Sequence, residues 1–365
     1  MSELFTPLKI NNVTFKNRIG MSPMCQYSSI DGVASDWHMV HLGSRAVGGV
    51  GLIMAECTAV SREGRISPGC AGLWDQKHAE ALNPIVDFLH NYGAVAGIQI
   101  SHSGRKGSAA TALDGGSHLD ADDPNGWNTV GPTDEAFDPD GTRLWKAPHA
   151  LSVSEIKAIQ EQFVNTAQFA VDIGYDLLEV HCAHGYLLHS FLTPLVNKRE
   201  DSYGGDLANR ARFLLETVEQ VRAIWPENRV LSVRLSVHDF VEGGLTLEDT
   251  AQIGLWLKEC GVDILDCSGG GAVPDARGAI GNRTAEQPDM AGELRVATGL
   301  PVMAVGAITD PQQAENLVSS SKADIVLLGR EMMRDPHWAL KAGKALGVET
   351  RHILAEQYGF FVGST

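Results

Sequence analysis

The chain has 365 residues, which is long enough for a single α/β barrel of the kind that typically takes about 250 residues. Hydrophobic residues make up 44% and charged residues 20%, a globular composition that excludes a disordered or fibrous protein. The 29 Lys and Arg residues against 45 Asp and Glu residues give a net charge of −16, which repels phosphate backbones and argues against nucleic acid as a partner.

Short apolar or β-branched runs alternate along the chain with helical, charge-rich segments, which is typical of βα units on a parallel sheet. Ser152 with Glu155, and Thr246 with Asp249, have the spacing of capping boxes before two of the helices. Eight such units predict an α/β fold, the (β/α)8 TIM barrel, with residues 1–365 as a single domain. The predicted strands are 18–22, 51–57, 95–101, 177–181, 230–236, 264–268, 301–306 and 325–329.

Residues 105–150 interrupt this alternation after the third strand with a stretch rich in Gly, Asp, Asn and Pro. We expect a surface excursion there, an extended loop or hairpin. The structural alternative to the barrel is a doubly wound open sheet, which would normally have a Gly-rich fingerprint after the first strand. The chain has Ser22, Pro23, Met24 and Cys25 at that place, which favours the barrel.

Residues 1–18 lack the basic head and apolar run of a secretory signal. The most apolar stretch, 47–60, contains Glu56 and is shorter than the roughly 20 residues that cross a bilayer. None of the six cysteines forms a Cys-x-x-Cys pair, which argues against zinc or iron–sulfur sites. We therefore expect a cytoplasmic protein with reduced thiols and no membrane partner.

The active site of a TIM barrel lies at the carboxyl ends of its strands, so the ends of the predicted strands form one ring. That ring is unusually polar. Its members are Met24, Cys25, Tyr27, Cys57, Gln99, His102, His181, His184, Tyr186, Arg234, Ser268, Gly306, Gly329 and Arg330.

The ends of the last two strands have the features of a phosphate site, and barrels commonly bind phosphate there. Gly306 and Gly329 let backbone N–H groups approach an anion, and Arg330 offers a planar fork for its oxygens. The alternative is that the glycines only turn the chain and that Arg330 pairs with a carboxylate such as Glu331.

The fourth predicted strand ends at His181, and His184 and Tyr186 follow within five residues. The histidines could ligate a metal, although spacing offers no third ligand, or could be structural and hydrogen-bonded in a closed pocket. A third possibility is that both rings donate hydrogen bonds to a substrate oxygen that gains negative charge, with the tyrosine placed to deliver a proton.

Arg234 lies in a segment that otherwise reads as buried, so we expect it to face a carboxylate or an anionic cofactor. Gln99 suits the edge of a heteroaromatic ring, or it could be satisfied by the backbone. Cys25 could be a reactive thiol or a small core residue.

Taken together, these residues resemble the old yellow enzyme family, FMN-dependent ene-reductases on a TIM barrel, and more narrowly its bacterial xenobiotic-reductase-like branch. Each string of residues is weak alone, but the ordered set spans nearly the whole chain and is specific. The strings are 16–19, 22–27, 99–106, 181–186, 197–199, 201–205 and 209–210, together with Arg234 and 329–330.

The resemblance implies a role for most of the ring. Arg234 would lie near the N1/O2 edge of the flavin, where a cation stabilises the reduced state. The branch often has a small residue where Cys57 stands, so its side chain has no assigned role. The implied FMN-ring contacts are Ser22, Pro23, Met24, Cys25, Cys57, Gln99 and Arg234; the phosphate contacts are Gly306, Gly329 and Arg330; the substrate contacts are Tyr27, His181 and His184; and the proton donor is Tyr186.

The resemblance also implies NADPH or NADH as the hydride donor, and small activated alkenes, α,β-unsaturated carbonyl or nitro compounds, as acceptors. It implies no metal. It further implies a homo-oligomer, a dimer or tetramer, with the tail at about 350–365 at a subunit interface. Tyr358 or Phe360 could there form an aromatic lid over the neighbouring site.

Other functions compete with this one. A flavin and iron–sulfur dienoyl-CoA-type reductase has a similar barrel but continues into a Cys-rich cluster, which is absent before Thr365. A flavin-free, phosphate-binding lyase or aldolase would usually need a Schiff-base lysine or a metal in the mouth, and no predicted strand ends in lysine. A flavin-binding protein with another acceptor, or one that senses or stores ligand, remains a further possibility.

Overall fold

In the computed structural model, residues 2–138, 145–274 and 286–362 are described. Two short strands, β1 (Leu8–Ile10) and β2 (Val13–Phe15), pair antiparallel. Eight further strands are parallel and close into a barrel, in chain order around the ring. They are β3 (Ile19–Met21), β4 (Leu52–Ala59), β5 (Val95–Ser101), β8 (Leu177–Cys182), β9 (Val230–Ser236), β10 (Ile264–Ser268), β11 (Val302–Ala304) and β12 (Ile325–Leu328). The predicted (β/α)8 barrel is confirmed, and each predicted strand matches one of these eight.

Helices surround this barrel, with one face buried against it, as βα units require. The Ser152 and Thr246 capping boxes are both present at the starts of the helices Val153–Ile173 and Leu247–Glu259. The helices are α1 (Asp36–Val47), α2 (Gln76–Asn91), α3 (Val153–Ile173), α4 (Leu187–Leu192), α5 (Leu207–Ile224), α6 (Leu247–Glu259), α7 (Gln287–Thr298), α8 (Pro311–Ser319), α9 (Arg330–Arg334), α10 (Trp338–Ala345) and α11 (Glu356–Val362). No helix in the described ranges has the length and apolar character of a membrane span.

The predicted excursion after the third barrel strand is present, apart from residues 139–144, which lie outside the described ranges. Its short strands β6 (Val130–Gly131) and β7 (His149–Ala150) pair in parallel, so they do not form a hairpin. Antiparallel pairing in the excursion is an isolated bridge between Ala109 and His118. The loop alternative of the prediction therefore describes most of this segment.

Side chains inside the barrel form layers, because every second residue of a strand points inward. Leu177, Val230 and Ile264 belong to an apolar cluster that also contains Phe15 of the β1–β2 hairpin. The amino end of the barrel is therefore an apolar floor, covered by the hairpin. Polar residues occupy the inward positions nearer the carboxyl ends.

Candidate active site

Strand register brings the predicted site residues together at the carboxyl ends of the barrel. His181 on β8 lies opposite Arg234 on β9, and Arg234 lies opposite Asp266 on β10. Cys57 on β4 lies opposite Gln99 on β5. Because parallel barrel strands all end at one face, these side chains belong to a common mouth.

The segment 22–29 leaves β3 and crosses this mouth without regular secondary structure. Ser22 is buried, and its Oγ accepts a hydrogen bond of 3.4 Å from Nη1 of Arg234. Met24 reaches the end of β12, where a Cβ at Gly329 would lie 3.6 Å from the methionine Sδ. The first and eighth barrel strands thus present one continuous surface.

Three thiols form a cluster on one wall of the mouth. The thiols of Cys57 and Cys70 both lie within hydrogen-bonding reach of the Cys25 thiol. Contact with Cys57, together with burial, raises the pKa of Cys25 well above its usual value. Burial and the neighbouring Cys25 raise the pKa of the Tyr27 phenol to about 12. The Cys25 and Cys70 thiols and the Tyr27 phenol are therefore protonated at neutral pH. Cys70 escaped the sequence analysis because it lies on a loop, away from every strand end.

A cavity of about 450 Å³ opens at the ends of β10, β11 and β12. His184, Ser268, Gly306, Gly329 and Arg330 are among the residues that line it. The predicted phosphate residues and one of the predicted substrate histidines therefore share one cavity, of a size that suits a small-molecule ligand.

At the phosphate end of this cavity, Arg330 does not pair with Glu331, contrary to the alternative considered from the sequence. Glu331 pairs instead with Arg334. The exposed Arg330 has no ion-pair partner in the described part of the chain. After β11 the chain turns through two consecutive residues with positive φ, Gly306 at +128° and Ala307 at +49°. A free guanidinium and a sharply turned backbone thus face the same space.

The rings of His181, His184 and Tyr186 are close neighbours. The centroid of His181 lies 5.2 Å from that of His184 and 5.0 Å from that of Tyr186, with edge-to-face geometry in both pairs. Burial, with Arg234 nearby, lowers the pKa of both histidines well below the usual value. Both imidazoles are therefore neutral at physiological pH.

Hydrogen bonds indicate which nitrogen of each ring can act as a donor. The backbone N–H of Ala183 donates to Nδ1 of His181 at 3.1 Å, which leaves the proton on Nε2. Nε2 of His184 lies 2.7 Å from Oγ of Ser268. If the serine hydroxyl donates in that contact, Nδ1 of His184 carries the proton. Each ring then has one N–H to offer a ligand.

Burial also raises the pKa of the Tyr186 phenol well above its usual value, so the phenol retains its proton. Tyr27 and the three thiols contribute to this shift, which places Tyr186 in the same electrostatic neighbourhood as the opposite wall. Tyr186 immediately precedes α4 and is its N-cap residue.

Hydrogen bonds from residues outside the cavity hold the loop that carries His184. His184 has a φ of +60°, and Lys106 Nζ donates to its carbonyl oxygen at 2.6 Å. The next residue, Gly185, donates its N–H to Nδ1 of His189, whose Nε2 lies 3.2 Å from Oδ1 of Asp239. The contact between His189 and Asp239 is fully buried. The sequence analysis gave no role to Lys106, His189 or Asp239.

A buried polar layer lies beneath the mouth. Nε2 of Gln99 donates to Oε1 of Glu179 at 2.8 Å, and the Ser232 hydroxyl donates to Oε2 at 2.9 Å. Nε of Arg234 lies 3.3 Å from Oδ2 of Asp266. Neither carboxyl was predicted. The sequence signal that could have identified them is a charged residue in the middle of an otherwise apolar strand.

The metal alternative for the histidine pair gains no support. In the ranges 2–138, 145–274 and 286–362, no group of three His, Cys, Asp or Glu side chains is placed to hold a metal ion. The contacts of His181 with Ala183 and of His184 with Ser268 account for one nitrogen of each ring.

The residues of the mouth fit the FMN that the resemblance implies. Arg330 has no counter-ion in the described ranges, so its guanidinium is available to a phosphate. Arg234 reaches the mouth at Ser22, where its Nη1 donates to the serine Oγ, while its Nε faces Asp266. The wall of thiols and the amide of Gln99 suit the body of a flat heteroaromatic ring.

Comparison with known proteins identifies the family. Residues 3–349 match the model of the NADH:flavin oxidoreductase / NADH oxidase family. NADPH dehydrogenase from Listeria monocytogenes serotype 4b is 40% identical over 349 residues, covering 95% of this chain and 96% of that protein. NADPH dehydrogenase from Listeria innocua serovar 6a has the same identity and coverage.

Solved structures agree with this match. Morphinone reductase superposes with a TM-score of 0.76 at 25% identity, over 95% of this chain and 90% of that one. 2-Naphthoyl-CoA reductase gives 0.83 at 26% identity over 96% of this chain, which spans about half of that longer protein. The chain therefore belongs to the NADH:flavin oxidoreductase / NADH oxidase family, the old yellow enzyme family, and is an NAD(P)H-dependent oxidoreductase with FMN as its cofactor.

Proposed function

We propose that this protein is an ene-reductase that reduces α,β-unsaturated carbonyl or nitro compounds. The observation that carries the proposal is the pair of neutral imidazoles, His181 and His184, beside a protonated phenol, with His184 lining the cavity that contains the phosphate end. Paired N–H donors are what a carbonyl or nitro oxygen needs when it gains negative charge during reduction.

The residues proposed to hold the cofactor are those that the resemblance implies. Gly306, Gly329 and Arg330 would bind the phosphate, and the segment from Ser22 to Cys25 would lie along the ring with Cys57 and Gln99. Arg234 would face the electron-rich pyrimidine edge. When bound, FMN accepts hydride from NAD(P)H and supplies it to the β-carbon of the alkene.

The two histidines would orient the substrate and stabilise the charge on its activating oxygen. The N–H on Nε2 of His181 would be one donor, and the N–H on Nδ1 of His184 would be the second when Ser268 donates to its Nε2; neither needs to reorganise during the reaction. Such preorganised donors can each contribute about 10²-fold or more to the rate. Tyr27, on the opposite wall, would reach the same oxygen as a further donor.

Tyr186 would donate a proton to the α-carbon. Its raised pKa keeps the phenol protonated at physiological pH, and its ring lies 5.0 Å from that of His181. A phenol so close to the oxygen-binding imidazoles is within reach of the carbon adjacent to the activating group. Electrons and protons then balance, with hydride added at the β-carbon and a proton at the α-carbon.

The setting proposed for this reaction is a cytoplasmic homo-oligomer, a dimer or tetramer, that acts on small molecules. The tail forms α11, where Tyr358, Phe360 and Phe361 are exposed, and residues 363–365 lie outside the described ranges. An exposed aromatic cluster suits a subunit interface. Entry of Tyr358 or Phe360 into a neighbouring site is part of this proposal; truncation after Glu356 should then alter oligomeric state or kinetics.

An anaerobic absorbance experiment tests the proposed function directly. The flavin spectrum of the purified holoenzyme is recorded alone, after NADPH or NADH, and again after 2-cyclohexenone. We expect bleaching by the reduced nicotinamide and recovery by the enone, with one saturated ketone formed per flavin reoxidised. Bleaching without recovery across carbonyl and nitro alkenes would leave a flavoprotein with a different acceptor and overturn the proposal.

A further inference from the structure

Two carboxyl groups lie under the cofactor site, and the proposed reaction uses neither. Glu179 and Asp266 are both fully buried, on β8 and β10. They flank β9, in which Ser232 is opposite Glu179 and Arg234 is opposite Asp266. Each carboxyl touches one residue of the proposed flavin site, Gln99 in one case and Arg234 in the other.

The two carboxyls have different partners. Asp266 faces a guanidinium, with Nε of Arg234 at 3.3 Å from its Oδ2. Its two oxygens have no hydrogen-bond donor in the described part of the chain, so Arg234 compensates its charge alone. An aspartate in these surroundings requires the cation, and the cation is held by the aspartate.

Glu179 has no cation of its own. Its contacts are the amide of Gln99 and the hydroxyl of Ser232. Both of these groups can donate or accept a hydrogen bond, so they can satisfy a neutral carboxylic acid as well as a carboxylate. Amide orientation and hydroxyl rotation adjust to whichever form is present.

One cation cannot easily support two buried negative charges. Burial and the charge of Asp266 raise the pKa of Glu179 to about 8, whereas burial raises the pKa of Asp266 to about 6, with Arg234 opposing the shift. At neutral pH this ordering leaves a proton on Glu179 and a negative charge on Asp266. Arg234 and Asp266 then form a net neutral pair.

We propose that Asp266 and Glu179 are positioning residues with unequal charges: Asp266 is an anion that holds Arg234 at the flavin and offsets its charge, whereas Glu179 is a neutral acid that holds Gln99. This inference rests on the proposed placement of Arg234 and Gln99 at the flavin. It assigns the cofactor's redox environment to residues that do not touch the cofactor.

The test compares two isosteric variants of the FMN holoenzyme, Asp266→Asn and Glu179→Gln, by the midpoint potential of the flavin. Loss of the Asp266 charge leaves Arg234 unopposed beside the reduced, electron-rich flavin. We expect Asp266→Asn to shift the equilibrium at least tenfold toward reduced flavin, about 30 mV more positive for two electrons. Glu179→Gln should change that equilibrium less than about twofold.

Several outcomes would overturn the inference. A shift in Glu179→Gln equal to or larger than that in Asp266→Asn would place the negative charge on Glu179. No shift in either variant would show that the layer does not act on the flavin. Arg234→Ala separates this inference from the site assignment. If Arg234→Ala leaves the flavin potential unchanged, the placement of Arg234 at the flavin is wrong. If Arg234→Ala shifts the potential and Asp266→Asn does not, only the role of Asp266 is wrong.

A second measurement keeps the inference testable if Asp266→Asn does not fold or retain FMN. The infrared spectrum of the wild-type holoenzyme in D₂O buffer should contain the C=O band of a buried protonated carboxylic acid. That band should be lost in Glu179→Gln and kept in Asp266→Glu. A wild-type spectrum without the band, or a band that survives in Glu179→Gln, would contradict a neutral Glu179.

Discussion

The floor and the mouth of the barrel are built by the same strands and differ completely in chemistry. Leu177, Glu179 and His181 lie at alternate positions of β8, and Ile264, Asp266 and Ser268 do so on β10. The first residue of each set belongs to the apolar floor. The second is a buried carboxyl, and the third reaches the ligand cavity or its rim. Because inward side chains alternate, two residues along a strand are enough to pass from core to site.

The largest expected effect comes from removing the paired donors at the mouth. In the double variant His181→Ala plus His184→Ala, the oxidative half-reaction with 2-cyclohexenone should slow by about 10³-fold or more, because two preorganised donors are lost. Stopped-flow measurement of each half-reaction provides the check. Flavin reduction should be affected far less, since it needs no charge stabilisation on the alkene oxygen.

The exposed His149 on β7 offers a matched control for this comparison. His149→Ala should leave both half-reactions unchanged. Equal losses in both half-reactions of the double variant would contradict the assignment of the histidines to the alkene oxygen and point to a general defect of the mouth.

At the floor, a large-to-small substitution should lower the stability of the protein without changing the rate of enone reduction. Phe15 is fully buried in the apolar cluster under the barrel, and Phe15→Ala should reduce the free energy of unfolding by about 3 to 5 kcal/mol. Denaturant titration of the holoenzyme measures this, with Thr14→Ala, exposed on the same strand, as the control. A change in enone turnover well below the unfolding transition would mean that floor and mouth are coupled.

The same contrast explains how far the sequence led. The strands were predictable because residues of the floor and of the outer faces form continuous apolar runs in the sequence. The mouth was predictable because His181, Arg234 and Arg330 lie at or near the ends of those runs. Glu179 and Asp266 were missed, since a single charge within an apolar strand does not reveal its partner. Cys70 and the pair of His189 with Asp239 were missed because their contacts join segments that are distant in sequence.

Glu179 in the buried polar layer should make the free energy of unfolding depend on pH, in the direction opposite to the dependence caused by His181 and His184. The pKa of Glu179 is raised to about 8, so the folded protein holds a proton that the unfolded chain releases near pH 4.5. Its contribution is complete below pH 4.5 and is lost as pH rises to about 8, at up to about 1.4 kcal/mol per pH unit. Subtracting the pH profile of Glu179→Gln from that of the wild type isolates this loss. A flat difference would show that Glu179 is ionised in the folded protein.

The neutral histidines act in the acid range. The pKa values of His181 and His184 lie well below 6.5 in the folded protein, so the unfolded chain takes up protons first as pH falls below 6.5. Stability should therefore decline toward acid pH, and the double histidine variant should lose part of that decline. A decline that is the same in both proteins would assign the acid limb to other groups.

The smallest effect concerns the rim, where Arg330 is exposed and screened by solvent. Arg330→Ala should weaken FMN binding by about tenfold, with a larger factor at low ionic strength. Lys341→Ala, which removes an exposed cation on α10, should have no comparable effect. Riboflavin decides the cause, because it lacks the phosphate: its affinity should be the same in wild type and Arg330→Ala. A parallel loss for both ligands would mean that Arg330 shapes the cavity, whereas a loss confined to FMN would identify it as the phosphate contact.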